Sequence, residues 1–180
     1  MMVWKITTGE LLTLYNAGER NFAGVEILRI VGEMGEIDGV DSQITGLEGA
    51  DLRGINLRGA NLEKVDLSGA DLTGADLFGA YLAEAGLVKT ILRDANLFSA
   101  NLSNATLDEA DLTGANLIHI KAVGASFIRA KIGYFERADL TNANFRYCDF
   151  YGPSLCYKFN VIWNTTMPDG TMKEGPYCKW

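Results

Sequence analysis

Asp or Asn recurs on a count of five, at Asp51, Asn56, Asn61, Asp66, Asp71, Asp76, Asn96, Asn101, Asp111 and Asn116. Carboxylates at fixed spacing are the raw material of general acid–base catalysis and of oxygen-ligand metal sites. One histidine, His119, and three cysteines, Cys148, Cys156 and Cys178, complete the reactive side chains. They assemble into nothing a reaction could use. His119 has no cysteine or carboxylate cluster around it, as zinc ligation would need. No Ser-His-Asp set, glycine-rich phosphate loop or Cys-x-x-Cys is present. The regular spacing of the Asp and Asn residues instead marks them as outward wall residues whose oxygens satisfy backbone groups near corners. No catalytic residue, cofactor, metal or small-molecule substrate is expected, and the chain reads as a non-enzyme.

The element that must carry these residues is set by leucine. From Leu47 to Leu117 a leucine stands every five residues, fifteen times without a miss. Two positions before each leucine the chain usually places alanine, as at Ala60, Ala70, Ala80, Ala100 and Ala110. A period of five fits neither a helix at 3.6 nor a strand at 2. A chain that turns a corner every five residues satisfies it, four sides making one coil. The leucine (position i) and the small residue at i−2 then point inward, while i−1, i+1 and i+2 face water. Four leucines per coil leave room for nothing larger than alanine beside them. Glycine at i+2, as at Gly54 and Gly74, suits the tight corner.

The units Ala70-Asp71-Leu72-Thr73-Gly74 and Ala60-Asn61-Leu62-Glu63-Lys64 resemble the A(D/N)LxG consensus of the pentapeptide-repeat family. The flanks, Glu10-Leu11-Leu12 through Ala17-Gly18-Glu19-Arg20-Asn21-Phe22 and Met167-Pro168-Asp169-Gly170-Thr171, resemble those of cyanobacterial members. The resemblance implies an all-β solenoid, a right-handed quadrilateral β-helix. It also implies a binding role. Some members are acidic, B-DNA-like rods that modulate DNA gyrase or topoisomerase, and some cyanobacterial relatives regulate cell differentiation through protein binding.

The phase extends in both directions. Phe22 and Ile27 keep the count and read as a first half-coil. Gly32 and Ser42 fall in slots they cannot fill, so 28–44 reads as degenerate repeats, with an outgoing hairpin as the alternative. Ala122, Phe127 and Ile132 continue the phase, after which Leu140, Phe145, Phe150 and Leu155 are displaced by three. A bulge or short loop is therefore expected at 133–137. The stack totals six to seven coils, about 30 Å at the usual strand spacing.

Exposed strand edges at both ends need covers. Thr7 with Glu10 forms a capping box, Leu11, Leu14 and Tyr15 share a face, and Gly18 stops the helix, predicting a short helix over 8–17. Val161, Ile162, Trp163, the Pro168-Asp169-Gly170 turn, Tyr177 and Trp180 predict an irregular aromatic lid. The chain reads as one domain: a helical cap over 1–20, coils over 21–160, and a C-terminal cap over 161–180.

Net charge is −7. Residues 1–45 carry seven acids and three bases, 46–132 eleven and eight, and 133–180 five of each. No basic stripe offers itself to phosphates, so nucleic acid is not an expected ligand. No apolar run spans a membrane and no signal-peptide core follows the start, which predicts a cytoplasmic protein. Free thiols are expected there, with a Cys156–Cys178 bridge pinning the lid as the alternative.

Positions i+1 twenty residues apart stack on one side of the rod. Three sides are mixed or polar. The fourth reads Arg58, Phe78, Phe98, Ile118, two phenylalanines and an isoleucine pointing outward on successive coils. This is either an aromatic ladder that ties coils together or a surface for a protein partner or a second copy. It is the candidate site.

Overall fold

A computed structural model describes residues 4–28, 44–133, 135–150 and 159–174. The leucine period becomes a ladder of parallel bridges, Asp51 to Asp71, Asp71 to Ile91 and Ile91 to Asp111, each step twenty residues. Four pentapeptides thus make one coil, and the molecule is a β-helix solenoid. The Leu72 amide donates along the stack to the Ile91 carbonyl (2.8 Å), and the Ala75 amide closes the corner onto the Leu72 carbonyl (3.0 Å). From Leu47 to Leu117 each leucine is at most 1% exposed. Burying a leucine contributes about 1.5–3 kcal/mol, so the axis carries the stability of the rod.

The corners hold more than glycine. Lys64, Glu84, Lys89, Asp94, Ser99, Asn104 and Glu109 all sit at φ between 55° and 60°, the same left-handed conformation as Gly59 at 61°. Each such residue costs about 1–2 kcal/mol relative to a right-handed one. The buried side chains of the repeat impose the corner whatever residue stands there.

At the N-terminal end, β1 (Lys5–Thr7) leads into α1 (Thr8–Asn16), and β2 (Glu26–Leu28) pairs parallel with β1, setting Ile6 opposite Ile27. The capping box forms as expected. The Glu10 amide donates to the Thr7 hydroxyl oxygen (3.2 Å), and the Thr7 amide donates to the Glu10 carboxylate (2.8 Å). Leu11 and Tyr15 are buried, and the Tyr15 hydroxyl donates to the Arg53 carbonyl (2.8 Å), tying the helix to the first coil.

The expected repeats at 28–44 fall largely on residues outside those described, which resume at Ile44. The registers on either side are plain. Asn21 bridges Asn56 and Glu26 bridges Asn61, while Asp51 bridges Asp71. Two sides of the first coil therefore precede residue 29 and two follow residue 43.

The bulge expected at 133–137 is a contraction instead. Leu117 pairs with Phe135, Lys121 with Asp139, and Ser126 with Asn144, each step eighteen residues rather than twenty. Phe135 takes the inward place three residues after Ile132, so this side has lost two residues. The loss is then returned: Asp139 bridges Val161 and Asn144 bridges Thr166, steps of twenty-two. The ladder thus continues past residue 160 and brings Ile162, fully buried, back onto the original count of five. Of the expected lid, the described part is a hairpin in which Thr165–Thr166 pairs antiparallel with Met172–Lys173 around the Pro168-Asp169-Gly170 turn. Leu155, Cys156, Tyr177, Cys178 and Trp180, and with them the Cys156–Cys178 bridge, lie outside the described residues.

Candidate functional site

The recurring Asp and Asn residues do structural work on the walls. Asp71 Oδ1 accepts the Thr73 amide at 2.9 Å, Asn101 Oδ1 accepts that of Ser103 at 3.1 Å, and the pattern recurs along the rod. Several carboxylates are held further by arginine. The Arg53 guanidinium reaches Asp51 at 2.6 Å, and Arg93 reaches Asp111 at 2.7 Å. Hydrogen bonds from Arg53 hold the Asp51 carboxyl down at about 2. Among the described residues no group of three or more His, Cys, Asp or Glu could hold a metal ion, and no helix is long and apolar enough to cross a membrane.

Cys148 occupies an inward i−2 slot, as its spacing requires. Its Sγ donates to the Phe127 carbonyl, and burial pushes the thiol up to about 12. Such a thiol is a packing group rather than a nucleophile. His119 is exposed at a left-handed corner, φ 59°, its ring edge-on to Phe98 at 5.4 Å.

The aromatic side is built from the same parts. Asp76, Asn96 and Asn116 accept the backbone amides of Phe78, Phe98 and Ile118 at 3.2, 3.3 and 3.2 Å, fixing where each outward side chain leaves the wall. The caps are themselves laddered: Asn96 Nδ2 donates to Asp76 (3.0 Å), and Asn116 Nδ2 to Asn96 (3.2 Å). With the backbone so held, the Phe78 and Phe98 rings stack at 5.4 Å and 5°. The Arg58 guanidinium lies 4.2 Å over Phe78 while its Nη1 meets Asp76 at 3.1 Å. The ring pair contributes about 0.5–1.5 kcal/mol beyond its buried area, and the cation contact about 0.5–1 kcal/mol. Phe78 remains 37% exposed, Arg58 is exposed, and Phe98 and Ile118 are half-buried. The strip ends at Glu136, which pairs with Ile118 in the next coil. The four candidate residues therefore form one continuous column, with an intramolecular ladder and an apolar outer edge at once.

Sequence reasoning passed over Tyr81. It stands at i−1, where Asn61 and Asn101 stand in the neighbouring coils, and it is 55% exposed. The signal was the break in the Asp/Asn column. At the far end Phe159, Val161 and Trp163 are also exposed, around the buried Ile162.

Comparison with known proteins places these features in a family. The pentapeptide-repeat model matches in eight copies over residues 47–77, 75–114 and 134–152. No curated protein matches the chain. Among solved structures, the chain is similar to HetL, a pentapeptide repeat protein involved in heterocyst differentiation regulation from the cyanobacterium Nostoc. That likeness has 25% identity, 93% of this chain, 100% of that one and a TM-score of 0.27. A second Nostoc pentapeptide repeat protein is 33% identical over 62% of this chain and 83% of its own, with a TM-score of 0.32. QnrB1, a plasmid-mediated fluoroquinolone resistance protein, is 16% identical over 91% of this chain with a TM-score of 0.40. The chain spans 62% and 65% of the length of two QnrB1 structures that it matches. With its fifteen in-phase leucines, its twenty-residue ladder and the eight matched copies, the chain belongs to the pentapeptide-repeat family.

Proposed function

We propose that the protein is a non-catalytic interaction or scaffold module. It is read as a single domain and a right-handed quadrilateral rod, acting in the cytoplasm, that presents the Arg58–Phe78–Phe98–Ile118 column to a second protein or to its own copy. The observation that carries this reading is the apolar outer edge of that column, in which Phe78 is exposed and Phe98 and Ile118 are half-buried on successive coils. Contiguous exposed apolar surface on a folded chain marks contact sites. From Leu47 to Leu117 the axis is filled by buried leucines, which leave no room for a substrate in that stretch.

Light scattering behind a sizing column tests it, on the wild-type chain and on Phe78→Ser/Phe98→Ser. The wild type is expected to associate, and the double variant to run as a monomer with an unchanged far-ultraviolet spectrum. Association that survives the substitutions overturns the assignment. A monomeric wild type would remove self-association and leave a different protein as the partner.

Net charge of −7 favours a second reading, an acidic DNA mimic directed at DNA gyrase or another topoisomerase. It has less support, because Arg53, Arg58 and Arg93 neutralise wall carboxylates in place. DNA carries about one negative charge per 1.7 Å. Unchanged gyrase supercoiling at about micromolar protein would remove it.

A further inference from the structure

A shallow groove of about 320 Å³ opens at the N-terminal end of the rod, across a corner from the aromatic column. It is lined by Gly24, Glu26, Gly59, Asn61, Glu63 and Tyr81. Three features occur together in it. The first is Tyr81 itself. Asn61 above it and Asn101 below it accept the amide two residues on, at 3.1 Å each. A tyrosine side chain has no oxygen within reach of that amide, so this repeat gives up its cap to hold a ring in water. Among the described residues no other ring and no guanidinium stacks on it.

The second feature is charge. Lys5 holds Glu26 at 3.1 Å and Lys64 holds Glu84 at 3.6 Å, whereas the exposed Glu63 carboxylate has no ion-pair partner among the described residues. The third is the bare corner. Gly24, Gly59 and Gly79 sit at φ of 69°, 61° and 62°, and a Cβ on any of them would meet nothing within 4 Å. Gly49, Gly54 and Gly74 are open corners of the same kind, whereas others in this conformation carry Lys, Glu, Asp or Ser. Crowding does not demand glycine here. Its effect is a ledge of backbone along which a partner's side chain can lie beside the tyrosine ring.

A ring face, an uncompensated carboxylate and a side-chain-free ledge together suit a planar, weakly hydrated cation. The geometry points to this groove as the seat of an arginine side chain from a partner protein, its guanidinium stacked on Tyr81 and paired with Glu63. The molecule uses the same chemistry internally, with Arg20 3.8 Å over Tyr15 and Arg58 4.2 Å over Phe78.

The test is an amide chemical-shift titration of the full chain with acetyl-arginine amide, and with the citrulline analogue as its neutral isostere. Saturable shifts confined to Gly24, Gly59, Asn61 and Tyr81 are expected with arginine and none with citrulline. Tyr81→Asn, which restores the residue of the neighbouring coils and so preserves the fold, should weaken binding by about fivefold, as should Glu63→Gln. Shifts that are absent, that spread over the whole acidic surface, or that persist unchanged in Tyr81→Asn overturn the proposal. Phe78→Ser/Phe98→Ser should leave the titration unaltered, so failure of the groove and failure of the aromatic column are read separately.

Discussion

Between residues 57 and 132 every coil takes twenty residues, and leucine fills the axis as far as Leu117. From Phe135 to Thr166 one step takes eighteen residues and the next twenty-two, and Phe135 and Phe145 share the axis with Leu140 and Ile162. In the regular region the corners as far as Leu112 are closed by their own backbone, as where the Ala100 amide donates to the Leu97 carbonyl at 2.9 Å. At the corner that follows the contraction the equivalent groups, the Phe135 carbonyl and the Ala138 amide, are bridged by a side chain from the coil below. Asn160 Nδ2 donates to the Phe135 carbonyl and its Oδ1 accepts the Ala138 amide, both at 3.0 Å. Inside, Phe127 stacks on Phe145 at 4.8 Å and 9°, the rise of one coil, and Phe135 meets both edge-on. A repeat can therefore lose its register without losing its ladder, provided flat rings refill the axis and an amide side chain replaces the missing corner bond.

The comparison is broken most directly by changing what fills the two axes. Phe145→Ala should cost about 3–5 kcal/mol in chemical denaturation, since its ring packs on three others. Leu102→Phe in the regular region should cost about 1–3 kcal/mol by overpacking. A neutral Leu102→Phe would mean that the leucine tube has spare room, and the distinction between the two cores would fall.

The stitched corner gives the next largest effect. Asn160→Ala leaves a buried carbonyl and a buried amide without their bridge and should cost about 1–3 kcal/mol. Thr90→Val is its counterpart in the regular region. There the hydroxyl donates to the Leu67 carbonyl at 2.9 Å, but that carbonyl also accepts the Ala70 amide, so the loss should stay below about 1 kcal/mol. Equal costs for the two would show that Asn160 merely fills space.

How much of this was legible depends on arithmetic as much as on chemistry. The leucine count disclosed the coil, the inward slots of Cys148 and Ala100, and the outward column of Phe78 and Phe98, because each follows from a residue's place in five. The contraction was not readable as such: a displacement of three and a deficit of two are the same phase modulo five, so Leu140 and Phe145 alone could not distinguish a bulge from a lost pair of residues. The return of phase at Ile162 was hidden among the aromatics Phe159 and Trp163, which look like lid. The corner conformation at Lys64 and Glu84 was missed for a different reason. Glycine advertises a left-handed φ, whereas a lysine or glutamate adopts one only because buried neighbours on both sides compel it. Tyr81 was legible only as a missing asparagine.

The smallest expected effect concerns the walls of the regular region, where arginines hold the carboxylates. Asp51 stands at about 2, and Asp111 is also lowered by its hydrogen bonds from Thr113 and Arg93 despite the opposing effect of burial. A carboxyl lowered in the folded state contributes stability that is fully present above its unfolded value near 3.9 and is lost as pH falls toward its folded value. Stability should thus hold down to about pH 4 and decline between about pH 4 and pH 2. Arg53→Gln/Arg93→Gln should flatten that decline, because the folded and unfolded values of both carboxyls then draw together. Urea midpoints across this range for both chains make the measurement. Because these pairs are exposed and screened by water and salt, the difference should shrink further at high ionic strength. An acid decline that is the same with and without the two arginines would locate its cause outside the paired walls, in the carboxylates of the end caps such as Glu10 and Asp169, both of which are also lowered by local hydrogen bonds.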